Sequence, residues 1–220
     1  MGAQSAIEWT DATWNPTVGC TKISPGCDGC YAERLANRFK KAFPNGFRLT
    51  LRPEALDLPL RWRRPRMVFF NSMSDLFHRD VPTSYIEQLC AVMRSCPQHL
   101  FQVLTKRAGR PAQLAASLPW PPNVWAGVSV ESARYFWRVD HLRQVPAAVR
   151  FISAEPLLGS LRTLVLAGIQ WLIAGGESQP GCRPAKLDWF RELRDLSLAI
   201  GKWRTPGERR APPSSGSVPS

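Results

Sequence analysis

Short apolar runs recur along the chain, and each ends in a polar or glycine-containing turn. Residues 67–70 lead into Asn71-Ser-Met-Ser-Asp75, 100–104 into Thr105-Lys-Arg107, 124–128 into Ser129-Val-Glu131, 149–152 into Ser153-Ala-Glu-Pro156, and 171–174 into Gly175-Gly-Glu-Ser178. Apolar runs bounded by turn residues predict buried strands, and their near-continuous apolarity suits a parallel sheet covered on both faces. An earlier strand is expected around residues 12–18, made irregular by Asn15-Pro16. Helical spacing appears between the runs. Ala32, Leu35, Ala36 and Phe39 share one face of residues 31–41, and Ile86, Leu89, Cys90 and Met93 share one face of 83–96. Residues 133–145 and 187–200 predict two more helices, and 110–118 a shorter one. Strand–helix alternation implies right-handed βαβ units. About six strands result, fewer than the eight of a closed barrel.

With 220 residues, 44% of them hydrophobic, the chain can bury one sizeable core. A single domain is expected over residues 1–200. Residues 201–220, rich in Pro, Ser and Arg without apolar period, read as a disordered tail. No apolar run reaches membrane-spanning length and the N-terminus lacks signal-peptide regions, so a cytoplasmic protein is expected. The net charge of +12 suits a nucleic-acid partner or an anionic substrate. Arg61, Arg63, Arg64 and Arg66 crowd together, as do Lys202, Arg204, Arg209 and Arg210. The plainer reading of these charges is a solvated surface.

Three cysteines, Cys20, Cys27 and Cys30, lie in C-x6-C-x2-C spacing within a Gly- and Pro-containing loop. Convergent thiolates can hold a soft metal or an iron–sulfur cluster, and three ligands leave one position open. Two other readings stand beside this one: ordinary unpaired cysteines, or a structural zinc completed by His78 or Cys182. Ligands bind at the carboxyl ends of strands in parallel α/β folds. The turn residues Asn71, Ser72, Ser74, Asp75, Thr105, Lys106, Arg107, Ser129, Glu131, Glu155 and Glu177 are therefore expected around one mouth, together with the cysteine loop. Singly, each has a plainer reading as surface charge or turn chemistry, and Cys90, Cys96 and most tryptophans read as core.

Taken in order, Ile7-Glu-Trp-Thr-Asp-Ala-Thr-Trp-Asn-Pro16, the cysteine trio with Tyr31-Ala-Glu33, Asn71-Ser-Met-Ser-Asp-Leu-Phe77, Phe101-Gln-Val-Leu-Thr-Lys-Arg107, Gly127-Val-Ser-Val-Glu131, Ser153-Ala-Glu-Pro-Leu157 and Gly175-Gly-Glu-Ser178 resemble the phage-associated three-Cys-motif family. That family is in turn similar to radical S-adenosylmethionine enzymes. The resemblance implies a partial (β/α)6 TIM-like barrel. It implies a 4Fe–4S cluster on Cys20, Cys27 and Cys30, with S-adenosylmethionine on the fourth iron as source of a 5′-deoxyadenosyl radical. It also implies cofactor contacts from Asn71, Ser72, Ser74, Asp75, Ser129, Glu131, Glu155 and Glu177. The chain departs from the superfamily's usual C-x3-C-x2-C spacing and has Gly29 where an aromatic residue commonly precedes the last cysteine. The substrate is left open among a nucleobase, a nucleic acid and a peptide, with charge pointing to the first two. The alternatives are a non-catalytic, metal-stabilised nucleic-acid-binding protein, or a component of a phage or mobile-element system working with a protein partner encoded nearby.

Overall fold

The computed structural model describes residues 7–179 and 181–199. The tail expected from residue 201 onward lies outside the described residues. Eight strands are present among them: β1 (Ala12–Trp14), β2 (Thr17–Val18), β3 (Thr50–Leu51), β4 (Met67–Phe70), β5 (Leu100–Thr105), β6 (Val124–Ser129), β7 (Val149–Ala154) and β8 (Trp171–Ala174). Five helices accompany them: α1 (Tyr31–Arg38), α2 (Thr83–Arg94), α3 (Gly109–Gln113), α4 (Trp137–Arg143) and α5 (Leu187–Ala199). The main sheet has the order β1-β4-β5-β6-β7-β8 and is parallel throughout. This is the mixed α/β architecture with six parallel strands that the apolar runs predict.

The two faces of the sheet are covered differently. Val68 and Phe70 of β4 and Phe101 and Val103 of β5 pack with Ile86, Leu89 and Met93 of α2. Ala126, Val128, Ile152 and Ala154 pack with Val139 and Leu142 of α4 and Leu193 of α5. Strand side chains alternate between faces, so the opposite face collects Trp125, Phe151 and Trp171. Trp9 joins this aromatic group edge-on, 4.6 Å from Phe69 and 5.9 Å from Trp171 between ring centres. Gly127 sits under the Phe151 ring, where a Cβ would lie 2.3 Å from the ring atom Cζ. This face is thus filled by aromatic rings at the level of mid-strand, leaving chemistry to the strand ends.

The strand at 12–18 and the helix at 133–145 differ from expectation. The irregular strand at 12–18 divides: β1 joins the main sheet, and after Asn15-Pro16 β2 leaves it to pair antiparallel with β3. Proline removes a ladder donor, which accounts for the break. The helix expected over 133–145 is a single 3₁₀ turn, Ala133–Tyr135, followed by the shorter α4. The β7–β8 crossover contains no helix among its described residues. Instead Leu157, Leu161, Leu164, Leu166 and Ile169 are buried along an irregular path.

Candidate metal and cofactor site

The cysteine loop runs from β2 to α1 and lies against the carboxyl ends of the strands. Gly19 begins it, bridging to Ser74 in parallel register and donating its N–H to the Met73 carbonyl at 2.9 Å. Its φ of +83° suits glycine, and a Cβ there would lie 2.2 Å from the Arg48 carbonyl oxygen. The Ser74 hydroxyl donates to the Gly19 carbonyl at 2.7 Å. A 3₁₀ turn, Pro25–Cys27, shapes the middle of the loop, and Cys30 caps α1.

Each thiol is half-buried, and the three have different neighbours. Arg107, just after β5, donates from Nη1 to the Cys20 sulfur at 3.3 Å and from Nη2 to the Thr21 carbonyl at 2.9 Å. The same guanidinium is paired with Asp75 at 3.1 Å. Asp75 also accepts from the Thr105 hydroxyl at 2.7 Å and from the Lys106 N–H at 3.1 Å. Burial pushes the Cys20 thiol up to about 11, with Asp75 adding to the rise and Arg107 opposing it. Cys27 has the Ser24 hydroxyl 3.8 Å from its sulfur, and Ser24 donates to Glu131 at 2.7 Å. Cys30 packs against Val18, Ala32 and Met73.

Glu131 follows β6 and is wholly buried. It accepts from Arg138 Nη1 at 2.8 Å, and Lys106 Nζ lies 3.7 Å from its other oxygen. Arg138 comes from α4, is as deeply buried, and donates to the Ser129 carbonyl at 2.8 Å. Its guanidinium stacks 4.1 Å from the centre of the Tyr135 ring. Beyond β8, Glu177 is clasped by Arg183, whose hydrogen bonds hold the carboxyl below the usual range. Arg183 also donates to the Pro25 carbonyl at 2.8 Å, tying it to the middle of the cysteine loop.

Several expected residues have local structural partners. Asn71 takes a left-handed φ of 57°, and its side-chain oxygen receives the Thr17 N–H at 3.4 Å. Its Nδ2 is buried without a partner among the described residues. The Ser72 hydroxyl donates to Asn15 at 3.1 Å, and the Ser72 carbonyl accepts from the Tyr31 hydroxyl. Glu155 lies at the rim beside Gly175. Partial burial of its carboxyl raises its pKa, with Lys106 pulling the other way and Glu8 adding to the rise. His78 is buried, bonded to Thr21 at 2.9 Å, and held neutral-leaning first by burial and then by Arg107. Ser24, Arg138, Arg183 and Tyr31 belong to the site as well. The sequence signalled them only by proximity: Ser24 and Tyr31 flank cysteines, whereas nothing local marks Arg138 or Arg183.

Among the described residues, no three His, Cys, Asp or Glu side chains stand together as a ready-made metal group. Neither His78 nor Cys182 completes such a group with the thiols. The donor chemistry nevertheless fits an iron–sulfur cluster. Three thiols share one short loop at one end of the sheet, and the Arg107 guanidinium donates to the Cys20 sulfur and offsets part of the rise that burial imposes on it.

The arrangement defines a class: a TIM-like α/β fold with its polar residues gathered at the carboxyl ends of six parallel strands. The chain belongs to the DUF5131 family, described as protein of unknown function, whose model matches residues 4–202. Among solved structures, spore photoproduct lyase complexed with dinucleoside spore photoproduct is similar over 91% of this chain and 54% of that one, at 11% identity and a TM-score of 0.55. A point mutant of spore photoproduct lyase is similar over 71% of this chain and 48% of that one, at 11% identity and a TM-score of 0.52. The likeness is one of fold, and the chain spans about half the length of the structures it matches. No curated protein matches the chain. Among the described residues no helix is long and apolar enough to cross a membrane.

Proposed function

We propose that the protein is a radical S-adenosylmethionine-like iron–sulfur protein whose cluster is held by Cys20, Cys27 and Cys30. One observation supports this reading above others: the loop bearing all three thiols is fastened across the mouth from the ends of β4, β5, β6 and β8. When bound, a cluster with S-adenosylmethionine supplies one electron to break a carbon–sulfur bond and generate a 5′-deoxyadenosyl radical. The chain's own contribution is placement and charge. Arg107 donates to the Cys20 sulfur and favours its thiolate. Asp75, Glu131 and Glu177, expected as cofactor contacts, are each committed to an arginine and hold the loop in place. Glu155 and Lys106 are less committed, and they are the carboxylate and ammonium that would meet the amino and carboxylate groups of the cofactor. Glu131, Arg138 and the aromatic plug beneath the mouth keep water from its floor.

The substrate class we favour is a nucleobase or nucleic acid, supported by the net charge of +12 and by a fold neighbour that holds a dinucleoside. Anaerobic reconstitution with iron and sulfide tests the metal assignment. The expected result is broad visible absorbance with near-stoichiometric iron in the wild type, lost when Cys20, Cys27 and Cys30 are all changed to Ala. Tight zinc without iron would favour the non-catalytic alternative.

A further inference from the structure

From Arg34 to Arg52 the chain carries Arg34, Arg38, Lys40, Lys41, Arg48 and Arg52 and no acidic residue. Arg34, Arg38, Lys40, Lys41 and Arg48 are all exposed. Among the described residues these five form no ion pair. Arg38 instead lies 5.5 Å from the centre of the Phe39 ring. Phe39 itself is 50% exposed, and Leu35, one turn earlier, is 38% exposed. An aromatic ring left in solvent amid unpaired cations is costly for a surface with no partner.

One turn after Phe39, whose carbonyl accepts from the Phe43 N–H at 3.1 Å, residues 42–46 line a crevice of about 210 Å³ against the β2–β3 pair. Phe43 and Leu51 give it apolar walls, Asn45 and Thr50, bonded to each other at 3.3 Å, give it a polar edge, and the Arg52–Glu54 ion pair at 3.0 Å, where the cation neutralises the carboxylate, also lines it. The segment also touches the cysteine loop, because the Cys20 N–H donates to the Phe47 carbonyl at 3.1 Å.

We infer that residues 34–52 form a docking surface for single-stranded nucleic acid. The cations follow the phosphates, the free face of Phe39 stacks a base, and the crevice receives a neighbouring base. Backbone neutralisation combined with an aromatic platform is how strands are bound without dependence on sequence. A duplex keeps its base faces stacked and cannot use Phe39 this way. An anionic membrane fits less well: α1 has only eight residues, and the Tyr31 hydroxyl is tied to the Ser72 carbonyl and not free to insert. That the bound strand continues to the cysteine mouth rests on the proposed function; the binding itself does not.

The test measures fluorescence anisotropy of a labelled single-stranded oligonucleotide with the full, metal-free chain. Four variants are compared with wild type: Lys40→Glu/Lys41→Glu, Phe39→Ala, the control Arg63→Glu/Arg64→Glu in the other basic cluster, and Cys20→Ser/Cys27→Ser/Cys30→Ser. Unchanged circular dichroism certifies folding of each. Binding is expected to weaken at least tenfold in the lysine variant and about tenfold in Phe39→Ala, within the range for loss of one stacked base. The control is expected to lose much less, and the cysteine variant to bind like wild type. Equal losses in the control and the lysine variant would mean unlocalised charge attraction and would overturn the surface. So would wild-type preference for duplex or for phosphatidylserine vesicles, or full binding by Phe39→Ala. Iron content measured separately on reconstituted protein tells failure of the cluster assignment apart from failure of this surface.

Discussion

Removing the arginine beneath the mouth should destabilise the whole domain. Glu131 and Arg138 are paired at 2.8 Å with side chains 1% exposed on both sides. Neither is exposed to bulk water, so Arg138→Met strands a buried carboxylate. Breaking a buried pair from one side costs about 3–5 kcal/mol. The lower end applies here, because Glu131 keeps the Ser24 hydroxyl at 2.7 Å and Lys106 at 3.7 Å. About 3 kcal/mol corresponds to a fall in Tm of roughly 6–12 °C for a chain of this size. Glu131→Gln should cost a similar amount by stranding the guanidinium. The double variant Glu131→Gln/Arg138→Met should cost less than the sum, since no uncompensated charge is left, with a coupling of about 2 kcal/mol. Urea unfolding followed by tryptophan fluorescence measures all four corners of the cycle. A loss below about 1 kcal/mol in Arg138→Met, or strict additivity, would refute the view that this pair is a dry structural anchor for the loop.

Two other perturbations report on separate parts of the account. Gly19→Ala forces a left-handed φ of +83° on a residue whose Cβ would lie 2.2 Å from the Arg48 carbonyl; a loss above about 2 kcal/mol is expected, and a variant as stable as wild type in urea would show that the start of the cysteine loop is loosely held. Burial in the α2 core, with Glu87 adding, pushes the Cys90 thiol from 9.0 up to about 11. The unfolded chain then loses this proton first as pH rises, so this contribution is complete below pH 9.0 and is lost towards about pH 11, to an extent of about 2–3 kcal/mol. Cys90→Ala should therefore flatten the decline of Tm across that window, and parallel curves for the two proteins would contradict it.

Much of the fold was legible because burial on both faces leaves continuous apolar runs, as at 124–128, and because helices such as α2 bury one clean stripe. The β2–β3 pair was not legible: two residues in each strand carry no period. The helix-free β7–β8 crossover was also hidden, because its leucines are spaced for burial but not for a helix. The strand-end rule located the mouth, and Cys20, Asp75, Glu131 and Glu177 do gather around one loop. It could not distinguish a carboxylate with no arginine partner among the described residues, Glu155, from those that fasten the loop. That distinction depends on Arg107, Arg138 and Arg183, two of which come from elements whose local sequence looks like ordinary surface charge. Arg138 is turned inward over Tyr135 by α4, and no local pattern in the sequence signals this.

The central claim is an open iron site on the three-cysteine loop, and electron paramagnetic resonance of the reconstituted, reduced protein with and without S-adenosylmethionine tests it most directly. The expected result is a cluster signal that changes when S-adenosylmethionine is added, and no signal from the variant lacking Cys20, Cys27 and Cys30. A signal indifferent to S-adenosylmethionine, or a protein that takes up zinc and never iron, would contradict it.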